Sequence, residues 1–78
     1  MVYCDFVSAN NNEIVYLIGG RTDDITGKLV IHMDDESYEL VSPPEKSKVY
    51  DPLIASMLRR NIDNFKKGIY KKKMSYEI

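Results

Sequence analysis

The chain has one cysteine, one histidine and no tryptophan, and its longest apolar run, Ile14–Ile18, is five residues. A single thiol excludes an internal disulfide and any multi-cysteine metal site. A single imidazole excludes the zinc sites that need a second one, and it leaves Cys4 with only His32, on another segment, as a histidine partner for nucleophilic chemistry. A bilayer span takes about 20 apolar residues, so no stretch here can cross as a helix and no membrane contact is expected. Met1 is not followed by a charged segment and an apolar run, so no secretory signal is expected and a cytoplasmic location is.

What is present fits one small domain, residues 1–78. A chain of this size buries a little over about 60% of its unfolded surface, so one sheet with one helix is near the limit. Self-association would add to that core, and six tyrosines suit an amphipathic contact. The net charge of −1 hides a division. Residues 1–50 hold four basic and nine acidic side chains, whereas residues 51–78 hold seven basic and three acidic. A basic helix face balanced by acidic turns explains this division, as does a partner that reads one pole.

The stretch from Asp51 to Lys67 organises the rest. Asp51-Pro52 is a helix start, with the Asp side chain expected to cap the first turn and Pro in a place where its missing N–H costs nothing. Gly68 is the expected stop. Ile54, Met57, Leu58, Ile62 and Phe65, with Ile69 beyond the glycine, recur at helical spacing and fill an arc of roughly 140°. Arg59, Arg60, Asp63, Lys66 and Lys67 lie opposite, where Arg59–Asp63 and Asp63–Lys67 are i,i+4 pairs. Asn61 falls inside the apolar arc and is expected to bond a loop carbonyl or water. The helix cannot stand alone, because ordering its backbone costs about 1–2 kcal/mol per residue.

The sheet comes before it. Val2–Ser8 alternates Val2, Cys4 and Phe6 with Tyr3, Asp5 and Val7. Asn10-Asn11-Asn12 is a turn, since Asn tolerates positive φ and bonds its own backbone. Glu13–Ile18 is apolar on both faces, which predicts a central strand and leaves the first hairpin's register ambiguous by one residue. Lys28–Met33 and Glu36–Val41 flank the turn Asp34-Asp35. That turn sets Leu29 against Leu40 and Ile31 against Tyr38 on one face, with Val30–Glu39 and His32–Ser37 on the other. Ser42–Lys48, with two prolines, breaks the ladder and carries the chain to the helix. Tyr70, Met74, Tyr76 and Ile78 recur at even positions, so Lys72–Glu77 reads as a fifth, weak edge strand, or else as a frayed tail.

The candidate sites are few. Gly19–Lys28 looks like a phosphate loop but has six residues between Gly20 and Gly27, and Leu29 where Ser or Thr is required. It reads as a mobile hairpin loop. His32, Asp34, Asp35 and Glu36 have ligand chemistry, yet the two aspartates are what a tight turn demands. Cys4 reads as a buried structural thiol. Lys66, Lys67, Lys71, Lys72 and Lys73 surround Tyr70, and Arg59 and Arg60 extend that basic surface. Such a set can hold phosphates and stack a base, although a pI near 5.7 is low for a nucleic-acid binder.

These readings converge on an α+β fold: an antiparallel sheet of four strands, with Lys72–Glu77 as a fifth, and one C-terminal helix on one face. The expected core is Cys4, Phe6, Ile14, Tyr16, Ile18, Leu29, Ile31, Tyr38, Leu40, Ile54, Met57, Leu58, Ile62 and Phe65, with Val15 and Leu17 in exchange for Ile14, Tyr16 and Ile18 if the register shifts. The functional expectation is a small non-catalytic module without a cofactor or metal, binding a protein partner or itself through a sheet face or edge. The alternative is nucleic-acid association through Arg59, Arg60, Lys66, Lys67, Tyr70, Lys71, Lys72 and Lys73.

Overall fold

The computed structural model describes residues 1–77; Ile78, part of the expected alternation in the last strand, lies outside them. The elements are β1 (Val2–Ala9), β2 (Glu13–Gly19), β3 (Gly27–His32), β4 (Ser37–Ser42), α1 (Asp51–Lys66) and β5 (Lys73–Tyr76). The strands form one antiparallel sheet in the order β4-β3-β2-β1-β5. Helix α1 leaves one edge strand and delivers the chain to the other. The fold is therefore the expected α+β arrangement, and the fifth strand is formed, paired with β1 through Val2–Tyr76 and Cys4–Met74.

The alternation along each strand decides what lies beneath the helix. Val2, Cys4, Ile14, Tyr16, Ile18, Leu29, Ile31 and Met74 are buried with Leu53, Ile54, Met57, Leu58 and Phe65 of α1. Phe6, Tyr38, Leu40 and Ile62, expected in the core, are only partly buried and pack against its margin. Val2, Leu53 and Met74 are buried as well, beyond the expected core; Val2 and Met74 fall on the inward side of their strand alternations, whereas Leu53 lies outside the expected helical set. Aromatic rings close one end: Phe6 meets Tyr16 edge-on at 5.5 Å and stacks on Tyr70 at 5.6 Å.

The β3–β4 hairpin has the expected register, Leu29–Leu40, Val30–Glu39, Ile31–Tyr38 and His32–Ser37. Its connection is longer than the two aspartates. Residues 33–36 form the loop, and Glu36 stands at φ 57° in the left-handed region instead of opening the strand. In the first hairpin Ile14, Tyr16 and Ile18 face the helix. The register shifts between Phe6 and Ser8, so Val7 is an extra residue at a bulge. Val41 is the extra residue at a second bulge, on β4. Each bulge leaves its valine about half exposed, 51% and 50%. The Asn turn closes without positive φ: Asn10 Oδ1 instead accepts from the N–H groups of Asn12 and Glu13, both at 2.9 Å.

The helix ends differ from expectation at the start and agree at the stop. Tyr50, in extended backbone, is the N-cap, and no side chain caps the turn. Asp51 is already helical, and its Oδ1 accepts the Tyr38 hydroxyl at 3.0 Å. Gly68 at φ 76° completes a Schellman stop: Gly68 N–H donates to Phe65 C=O and Ile69 N–H to Asn64 C=O. Ile69 is thereby turned outward, 52% exposed, rather than into the core. Asn61 is buried, and its amide donates to the Met57 carbonyl of its own helix at 2.8 Å, not to a loop. Among the described residues the pairs Arg59–Asp63 and Asp63–Lys67 do not form; Arg59 instead donates to Ser56 Oγ at 3.3 Å.

Candidate functional site

With α1 on one side, no helix or second sheet among the described residues covers the other side. Beyond a Ser75–Tyr3–Gly19 row at the end beneath the β2–β3 loop, strand pairing arranges its residues in three rows that run across the strands. The first is Lys73–Asp5–Leu17–Lys28, from β5 to β3. The second is Ser8–Val15–Val30–Glu39, from β1 to β4, and the third is Glu13–His32–Ser37. Val15 and Val30 are sheltered by their neighbours, whereas Leu17 is 38% exposed on the central strand. Around this apolar strip the charges alternate in sign. Lys73 Nζ lies 3.2 Å from Asp5 Oδ1. His32 stands between two carboxylates, with Nδ1 3.4 Å from Glu13 and Nε2 3.8 Å from Glu39.

One end of this face is closed by the loop between β2 and β3, and the closure was not legible in the loop's composition. Asp24 is almost fully buried. Its Oδ2 accepts from the Lys46 and Ser47 N–H groups at 2.8 and 2.6 Å and from the Ser47 hydroxyl at 2.7 Å. Oδ1 accepts the Thr26 hydroxyl, whose oxygen accepts the Glu45 N–H. Gly20 N–H donates to Ser47 Oγ, completing the tie between loop and proline segment. Donation from Ser47, opposed by burial and aided by the two N–H groups and Thr26, holds the Asp24 carboxyl down at about 2. The loop is thus tied to residues 45–47, which its polar composition did not imply. Its backbone lies against Gly19, where a Cβ would sit 1.9 Å from the Asp24 carbonyl oxygen. Thr22 and Ile25 of the loop meet Tyr3, Asp5, Lys73 and Ser75 around a cavity of about 230 Å³.

The basic residues singled out from the sequence lie on α1, on the segment that follows it and on β5. Lys73 belongs to the uncovered face. Lys66 Nζ reaches Glu36 at 3.3 Å, and the Arg60 guanidinium lies over the Tyr76 ring at 5.5 Å. Arg59, Lys67, Lys71 and Lys72 are exposed. The backbone carbonyls of Lys71 and Lys72 accept the Tyr16 hydroxyl and the Phe6 N–H, both at 2.8 Å. Tyr70 is half-buried against Phe6. Near it, Ala9, Asn10, Met33, Phe65, Lys67 and Tyr70 line an open groove of about 620 Å³.

The remaining chemistry is quiet. Burial, then the Asp5 carboxylate, pushes the Cys4 thiol up to about 12, so it stays protonated and unreactive at neutral pH. Its Sγ rests 3.8 Å from Met57 Sδ. Asp34 and Asp35 spend their carboxylates on the hairpin turn, Asp34 on the Asp35 N–H and Asp35 on Ser37. Among the described residues no group of three or more His, Cys, Asp or Glu side chains is placed to hold a metal ion, and no helix is long and apolar enough to cross a membrane.

These features define the class: a one-helix, five-stranded antiparallel α+β domain with one bare sheet face. Compared with known proteins, the chain matches no family model, no curated protein and no solved structure.

Proposed function

We propose that this chain is a non-catalytic interaction module that binds a protein through the uncovered face of its sheet. The observation that carries this reading is the strip Val15–Leu17–Val30 on β2 and β3, with Leu17 exposed and no helix above it among the described residues. Contiguous apolar surface rimmed by charge marks contact sites in soluble domains. The flanking charges supply orientation more than affinity. The basic surface supports nucleic-acid contact less well, since Lys66, Lys73 and Arg60 already have partners within the fold.

Two variants separate these readings. Leu17→Lys alters the bare face. Lys67→Glu with Lys71→Glu and Lys72→Glu reverses the basic surface. Immobilised wild type and both variants are exposed in parallel to native lysate and to heparin. A protein retained by wild type and by the reversed variant, but lost with Leu17→Lys, is the expected result. Retention that survives Leu17→Lys, disappears on charge reversal and falls steeply with salt overturns the proposal in favour of nucleic acid.

A further inference from the structure

The bare face carries a charge pattern that is complementary to itself. In the first row Leu17 lies on the central strand, Asp5 one strand to one side and Lys28 one strand to the other. A two-fold axis running along β2 between two stacked sheets reverses the strand order and preserves the rows. It lays Leu17 on its mate, Val15 on its mate, Asp5 over the partner's Lys28 and Lys28 over the partner's Asp5. Lys28 is exposed and has no carboxylate within ion-pair distance among the described residues.

Other placements of the axis do worse. An axis across the strands through Val15 puts Lys28 over His32 and Leu17 over Glu13. An axis between β2 and β3 covers Leu17 with Lys28, and one between β1 and β2 covers it with Asp5. Of these placements, the axis along β2 is the one that lays Leu17 and Val15 on their mates and sets opposite charge on opposite charge, with Val30 over the partner's Ser8. Its one like-charge meeting is Glu13 with its mate, at the end of the patch, where each carboxylate already has His32 beside it. At the opposite end the backbone of Asp24 and Ile25 over Gly19 occupies the layer that side chains fill elsewhere. Sheets that pack face to face stand about 10 Å apart, so the two loops meet each other across that end of the interface.

We infer that the occupant of the face is a second copy of this chain, stacked sheet to sheet about a two-fold axis along β2, with two reciprocal Asp5–Lys28 pairs flanking Leu17. This rests on the sheet-face reading above and names its partner. Strand spacing of about 4.8 Å and row spacing of about 7 Å give roughly 400 Å² per copy. That is about half the area per partner of a standard interface, so the dimer is weak and concentration-dependent.

Sedimentation equilibrium over roughly 10 μM to 1 mM tests it, a range set by the small area. The 9.0 kDa chain is expected to approach twice its mass across that range. Asp5→Lys and Lys28→Asp should each weaken association at least tenfold, because each homodimer then holds two like-charge contacts. An equimolar mixture of the two variants should recover wild-type association, because every contact in the mixed dimer is again of opposite sign. Circular dichroism on each variant verifies the fold. A wild type that stays monomeric throughout, or a mixture no stronger than either variant alone, overturns the inference. If a different protein is lost with Leu17→Lys while wild type stays monomeric, the second copy is refuted and the sheet-face reading stands.

Discussion

Raising the pH should unfold this domain through two groups that the sheet buries beside each other. Cys4 is 1% exposed and Tyr16 is fully buried. Burial and the neighbouring Asp5 raise the thiol from 9.0 to about 12. Burial, with Cys4 and Tyr70 adding negative charge nearby, raises the Tyr16 hydroxyl from 10.0 to about 12. Above pH 9 the unfolded chain therefore gives up protons that the folded chain keeps. Stability is then complete below pH 9 and falls as pH climbs through the folded values near 12. Each tenfold step in proton binding is worth about 1.4 kcal/mol. By pH 11 the thiol has contributed about 3 kcal/mol of that loss and the phenol about 1, or about 4 kcal/mol together. A domain of 78 residues has only about 4–12 kcal/mol in all. Burial also raises Tyr38, with Asp51 adding to it, in the same direction.

Urea unfolding followed by circular dichroism between pH 8 and pH 11 reads this directly. The wild-type midpoint should collapse across that interval. Cys4→Ala and Tyr16→Phe should each start lower, Tyr16→Phe by about 1 kcal/mol for the hydrogen bond it removes from Lys71. Each should then decline less with pH, and the double variant least. If both variants lose stability as steeply as wild type, burial of these two groups is not the cause.

Three further outcomes follow from the loops and the hairpin turn. Asp24→Asn should lower the thermal midpoint at neutral pH and should flatten the acid limb of the stability curve. The wild-type carboxylate contributes above pH 3.8 and is lost as pH falls through about 2, so the curves of wild type and variant should converge there in a pH series of melts. Gly19→Ala should displace the loop, since its Cβ would meet the Asp24 carbonyl oxygen at 1.9 Å, and hydrogen exchange at Lys46 and Ser47 should accelerate by tenfold or more, about 1.4 kcal/mol or above. Glu36→Asn should raise stability by about 0.5–1 kcal/mol, because Asn accepts the left-handed backbone at φ 57° more readily than Glu, less whatever the exposed pair with Lys66 contributes; chemical denaturation measures it.

The parts of the fold that were legible are those that repeat locally. The 3.6-residue recurrence of Ile54, Met57, Leu58 and Phe65 specifies a buried helix face before any partner is known, and Gly68 marks its end. Strand alternation around a short turn is enough to pair Leu29 with Leu40 and Ile31 with Tyr38. The first hairpin resisted because both faces of Glu13–Gly19 are apolar, and its bulge at Val7 leaves no compositional trace. The candidate site was legible in outline only: Val15 and Leu17 were visible as a second apolar face, while the Asp5–Leu17–Lys28 row exists only once three strands are in register.

From its residues alone, this chain determined that four strands and one capped-off helix must form, that the helix must lie on apolar sheet, and that its charge divides by halves. Those properties follow from periodicity and turn chemistry, which act over a few residues. Tertiary structure alone decided which face of β2 the helix covers, that β5 docks on β1, and that Asp24 is buried rather than solvated. Each of these depends on groups far apart in the chain, such as the Ser47 N–H that meets the Asp24 carboxylate. Which apolar face stays bare was settled only when the helix took the other one.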